Sequence, residues 1–280
     1  MSNSIEKLQN ALGRFLFEID EHLNSNKIKY FVAFGTLLGT IRHQDFIPWD
    51  DDVDIWMLRE DYDIFINEFK LILPDYYEVE YCRGDNDFPY SFAKIYDTRT
   101  TLVEYINDKS FTRGIYLDIF PIDGIANSSQ IQKRHLMRLK IINRYLLAKE
   151  GFYKNPVKKM AIYFMVVLFY GTLSKKKMVL ISQKLYTKFG SSHEKVIVSN
   201  HFPKANYILS KSDFLYTERL PFNNFYVNVP KNYKEILTNI YGDFMKIPKD
   251  NEKISHGKRI IKYDKTYKKE NWKWRKYILQ

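Results

Sequence analysis

The chain has 280 residues, 45% of them hydrophobic and 16% aromatic, so a disordered protein is excluded and a sizeable core is expected. A single cysteine, Cys82, excludes an internal disulfide and any multi-cysteine zinc site, and the charged first thirty residues show no secretory signal, so the expected location is the cytoplasm. The net charge of +11 is unevenly spread: residues 1–130 carry 12 Lys+Arg against 23 Asp+Glu, and residues 131–280 carry 32 against 10. An acidic half suits cations and a basic half suits phosphates or an anionic surface, which together point to phosphate chemistry.

In chain order, Ile5, Leu8, Leu12, Phe15, Leu16, Ile19 and Leu23 recur at helical spacing and predict an amphipathic helix over 5–24. A strand is expected at 30–34, followed by a helix opened by Gly35-Thr36 and running to about Arg42. Residues 53–58 read as a second strand, 61–71 as a helix closed by Pro74, and 77–82 with 91–96 as a strand pair. The apolar run 115–120 reads as a strand ended by Pro121 and the turn Asp123-Gly124.

The character then changes. Residues 131–190 hold 14 Lys+Arg and one acid, with helical periodicity and no clear strand. Within them, 160–173 is uncharged and bracketed by Lys158-Lys159 and Lys175-Lys176-Lys177, too short to cross a bilayer but composed like an interfacial helix or a core helix with surface lysines. Beyond it, 222–229 reads as a strand, 230–241 as a helix, and the tail from Lys258 is rich in Lys, Trp and Tyr. The expected divisions are an acidic core at 1–130, a basic helical insertion at 131–190, and a completion of the core with a basic aromatic tail at 191–280.

The chemistry concentrates in IPWDDDVDI, 47–55. Strand alternation would set Asp52 and Asp54 on one face while Val53 and Ile55 anchor the other. Paired carboxylates repel without a counter-cation, and oxygen-rich sites suit Mg²⁺ or Mn²⁺, which in turn carry substrate phosphates. Asp118, the sole charge in the run 115–120, is the expected third carboxylate, provided that its strand lies beside the first. Gly35 and Thr36, at a strand-to-helix turn, offer free backbone N–H groups to a phosphate.

YFVAFGTLLGTIRHQDFIPWDDDVDIWMLREDY, SFAKIYD, GIYLDIFPIDG and VPKNYKEILTNIYGDFMKIP together resemble the LicD family of phosphotransferases, relatives of fukutin within the nucleotidyltransferase superfold. The resemblance implies an α+β fold, a nucleotidyltransferase-like mixed sheet with flanking helices and a basic helical insertion. It implies that Asp52, Asp54 and Asp118 hold Mg²⁺, and that phosphocholine or a polyol phosphate passes from a CDP-linked donor to a sugar acceptor of a surface glycan, free or built on a lipid carrier, with CMP leaving. Arg42 and Lys94 lie in matched motifs and would hold the diphosphate or remain surface residues; Asp51 and Asp50 would support the ligands, and His256 would contact substrate. The same lipid carriers make the inner face of the cell membrane the expected location and an anionic lipid surface a partner, whereas nucleic acid is not an expected one. The alternatives are a nucleotidyltransferase acting on a nucleic acid or small molecule, a non-catalytic membrane-associated glycan-binding module, and an unrelated glycosyltransferase with an Asp-x-Asp site.

Overall fold

A computed structural model describes residues 2–82, 88–107, 109–190, 193–200, 202–253 and 259–269. Helix α1 (Ser2–Ser25) leads into the short strand β1 (Phe31–Val32), helix α2 (Phe34–His43), strand β2 (Asp54–Leu58) and helix α3 (Arg59–Asn67). Strands β3 (Tyr77–Glu80), β4 (Ala93–Ile106) and β5 (Lys109–Ile125) follow, then the helices α4 (Ser129–Glu150), α5 (Pro156–Tyr170) and α6 (Lys175–Tyr186). The rest comprises β6 (Lys195–Val198), β7 (Ile208–Ser210), the pair β8 (Thr217–Phe222) and β9 (Phe225–Pro230), helix α7 (Tyr233–Tyr241) and β10 (Arg259–Lys262).

The main sheet runs β1-β2-β5-β4-β10, with β3 on β4, and β6 and β7 extending from the far end of β5. It is mixed: β2 and β5 are parallel, and the other ladders are antiparallel. This is the expected α+β class. The main core packs the inner face of α1 (Leu12, Phe15, Leu16, Ile19) against Phe31, Trp56, Phe65, Leu117 and Ile119. A second cluster lies between α4, α5 and α6, around Ile142, Tyr145, Val166 and Met178, and includes Cys82 and Phe88.

Several boundaries differ from the sequence expectation. Strand β5 does not stop at Phe120 but continues through Pro121 to Ile125. The proline is tolerated because β5 changes neighbour there: β4 ends opposite Ile119, β6 begins opposite Ile122, and the Pro121 carbonyl accepts from Ser199 N–H on that side, where a missing N–H leaves little ladder unmade. The β4–β5 hairpin is far longer than a strand at 91–96, with a register shift between Asp97 and Leu102 that breaks the alternation. The strand expected at 222–229 is largely β9, which starts at Phe225; Phe222 ends β8, and the two strands are joined by the turn at 223–224, where Asn223 takes a left-handed φ of 56°. The strand expected at 30–34 is only two residues, since Phe34 already begins α2.

Candidate active site

The site is built on the first parallel contact of the sheet. Asp54, the first residue of β2, lies directly opposite Asp118 of β5, and the Asp118 N–H donates to Val53 O at 3.0 Å. The neighbouring strands needed to bring Asp118 to the pair are therefore present. Asp52 precedes the strand rather than belonging to it, yet burial still alternates, with Val53 and Ile55 buried and Asp52 and Asp54 half-buried. Thr36, at the start of α2, accepts from Asp54 N–H at 3.0 Å through its hydroxyl and so ties helix to strand.

Crowding of like charges is visible in the acidities. Burial first, then the charges of Asp52, Asp118 and Asp50, push the Asp54 carboxyl well above the usual carboxylate range. Burial also pushes Asp118 up to about 6, against the opposing pull of Lys94. Asp50, Asp51 and Asp52 each bring a carboxylate oxygen within 4.8 Å of the others. Asp52 thus belongs both to this triplet and to the like charges that act on Asp54. Such a set of oxygen donors, in which the pKa values of Asp54 and Asp118 are raised, fits a hard divalent cation; Asp52, Asp54 and Asp118 would hold it, with Asp50 beside them.

Other expected residues acquire specific partners. Lys94 is buried and its ammonium donates to both oxygens of Asp118, at 2.6 and 2.8 Å, so in this structure it neutralises the third carboxylate rather than standing open to a diphosphate. Arg42 donates to the carbonyls of Phe244 and Lys246 at 2.9 and 3.3 Å, fastening α2 to the turn after α7. At Gly35 a Cβ would come within 2.4 Å of the Asp50 carboxylate, so the glycine serves the close approach of Asp50 to the helix start, where a phosphate was expected. The residue before it, Phe34, takes φ 42°, held by edge contacts to Trp56, Phe120 and Tyr207. Asp51 is buried and paired with Arg259 at 3.1 Å. His256 lies outside the described residues.

Three participants escaped the sequence reading. Arg259 of β10 reaches across to Asp51, to Glu104 at 2.9 Å and to the Tyr116 hydroxyl at 3.1 Å, and its buried Nε has no hydrogen-bond partner among the described residues. Tyr207 and Tyr241 lie close enough to Asp54 for its negative charge to push their pKa values up further, beyond the larger effect of burial. The carboxyl-terminal motif was the available signal for Tyr241; nothing local distinguishes Arg259 from the other basic residues of the tail. A pocket of about 230 Å³ opens against Asp52 and Asp118, walled by Phe88, Tyr90, Tyr96, Phe111 and Tyr116, with Lys94 and Arg259 at its polar side. The Lys94 ammonium sits 3.7 Å from the Tyr116 ring centre, so one face of that ring is already occupied by a cation.

Residues 27–139 match the family described as LicD/FKTN/FKRP, nucleotidyltransferase domain. The chain is also 30% identical over 239 residues to the lipopolysaccharide cholinephosphotransferase LicD of Haemophilus influenzae, covering 82% of this chain and 87% of that protein. The chain belongs to the LicD family. An uncharacterised protein of Rickettsia prowazekii is 36% identical over 113 residues, 39% of this chain and 38% of that one, and one of Rickettsia typhi is 42% identical over 76 residues, 27% and 23%. The matched segment of the LicD domain contains α2, β2, β4 and β5, hence every carboxylate of the site.

Proposed function

We propose that this LicD-family chain transfers phosphocholine from a CDP-linked donor to a hydroxyl of a glycan, releasing CMP. The observation that carries the reading is the parallel register of Asp54 with Asp118, with Asp118 and Asp52 lining an aromatic pocket. A bound divalent cation would neutralise the charge that develops on the transferring phosphoryl group. Asp52, Asp54 and Asp118 would hold it, and the acceptor hydroxyl would attack phosphorus as the bond to CMP breaks. Asp118 or a close neighbour would accept the hydroxyl proton as the new bond forms. Arg259, at the pocket wall with Glu104, pairs with Glu104 and with Asp51 behind it.

The walls favour choline over a polyol as the transferred alcohol. A trimethylammonium head has no proton to donate and is attracted to ring faces, and Tyr90, Tyr96 and Phe111 line the pocket beside Tyr116, whose one face Lys94 occupies. Each hydroxyl of a polyol would need a hydrogen-bond partner that an aromatic wall offers sparsely. Support also comes from the cholinephosphotransferase name of the Haemophilus relative.

The test offers CDP-choline, CDP-ribitol and CDP-glycerol separately with Mg²⁺ and a glycan acceptor and measures CMP. Release with CDP-choline alone is expected. Silence with all three donors removes the donor assignment, and nucleotide found in the product establishes a nucleotidyltransferase instead.

A further inference from the structure

From Met160 onward, helix α5 is apolar all round, yet it is packed on one side only. Ile162, Tyr163, Val166 and Tyr170 turn toward α4 and α6 and close the second core cluster. The opposite side shows Val157, Met160, Phe164, Val167 and Leu168 to solvent, with Met160 at 71%, Phe164 at 67% and Leu168 at 65% exposure. Removing such large side chains from water is favourable, and a contiguous stripe of them is what an interaction surface presents. Its borders are basic: residues 151–190 contain eight lysines and no acid, and Lys154, Lys158, Lys176 and Lys177 are exposed at the two ends of the helix.

We infer that α5 lies in the surface of an anionic lipid bilayer, its bare apolar side among the acyl chains and its flanking lysines at the head groups. The charge pattern selects this occupant, because an apolar stripe between lysines and without any acid complements a surface that is oily within and negative at its rim. The helix lies on the bilayer rather than across it. Its 15 residues extend about 22 Å, short of the roughly 30 Å of a hydrocarbon core. The bent continuation into α6, at 63°, cannot add a span while Met178, Val179 and Tyr186 are buried within the protein. Phe152, between α4 and α5, is exposed and also lines the pocket, so the bilayer-facing surface leads to the mouth of the site.

The inference does not depend on the proposed chemistry, and its test reads no turnover. The full chain is sedimented with vesicles of phosphatidylcholine alone or mixed with phosphatidylglycerol. Binding to the mixed vesicles, weakened by salt, is expected. The double substitution Phe164→Ser with Leu168→Ser, at exposed positions, is expected to abolish it with the melting temperature unchanged. Lys158→Gln and Lys176→Gln, which leave the apolar side intact, are expected to weaken it by roughly fivefold each. Equal binding to neutral vesicles, no binding to either, or binding unaltered by both sets of substitutions overturns the inference. So does a lipid-free dimer that the serine substitutions split, which would assign the stripe to a second copy of the chain.

Discussion

At the scale of single residues, the site is a balance between carboxylates that repel and groups that hold them together. Lys94 and Arg259 restrain Asp118 and Asp51, while Asp54 is left among like charges. Asp54→Asn or Asp52→Asn is expected to lower CMP release by about 10³-fold or more while the protein unfolds no earlier than the parent, measured by turnover and thermal unfolding side by side. The pH dependence follows from the raised pKa values of Asp54 and Asp118. An Asp118 that ionises near 6 in the folded chain and near 3.8 when unfolded contributes stability that is full below about 4 and lost as pH rises through about 6, and Asp54 acts in the same direction. The metal-free protein is therefore expected to lose the contribution of Asp118 as pH rises from about 4 to about 6, with Asp54 adding a loss of the same sign that Asp54→Asn removes. Added Mg²⁺ should raise the melting temperature more at pH 7.5 than at pH 5, because the cation binds the ionised carboxylates. At the pocket wall, Tyr90→Ala and Tyr116→Ala should each weaken recognition of CDP-choline by about fivefold or more, read as kcat/KM.

At the scale of elements, strand β5 carries the construction. Its first half pairs with β4, its middle brings Asp118 beside β2, and its end joins β6. Past the site, Asp123 is buried and receives both prongs of Arg59 at 2.7 and 2.8 Å, with Ser199 donating at 3.1 Å. This pair locks α3 to the end of β5 below the active face. Arg59→Ala leaves a buried carboxylate without its cation and is expected to cost about 3–5 kcal/mol, seen in denaturant unfolding. Replacing both partners with apolar residues of similar size should cost much less, since no charge is then stranded. The loop 44–53 is held similarly from outside: Gln9 of α1 donates to the carbonyls of Ile47 and Asp50 at 3.0 and 2.9 Å, which places the acidic run over the start of α2.

At the scale of the whole molecule, the two charged halves have different surroundings. The acidic segment is folded inward onto β2 and β5, where its carboxylates meet one another, and the basic segment forms the helical layer whose apolar stripe faces outward. With α5 on an anionic bilayer, a lipid-anchored acceptor meets the pocket from the same side. Transfer to a vesicle-borne acceptor is then expected to fall as salt rises from about 0.1 to 0.5 M, while transfer to a water-soluble acceptor changes little, because screening acts on the surface attraction and not on the buried site. A comparison of the two acceptors at matched salt checks this.

The amino-acid sequence determined those features that rest on local pattern. The periodicity of α1, the apolar strands, the helical character of 131–190 and the acidic run beside Val53 and Ile55 are legible because burial repeats every 3.6 or 2 residues. Tertiary structure alone decided the rest. No spacing reveals that Asp118, sixty-four positions after Asp54, is its register partner, that Arg259 spans Asp51 and Glu104, or that Lys94 neutralises Asp118 instead of facing outward. Those facts depend on which strands pair and in what register, a choice made by burying side chains from distant segments together. The same holds for the stripe on α5: an apolar helix looks alike in sequence whether it is enclosed or bare, and only the packing of α4 and α6 against one side of it left the other exposed.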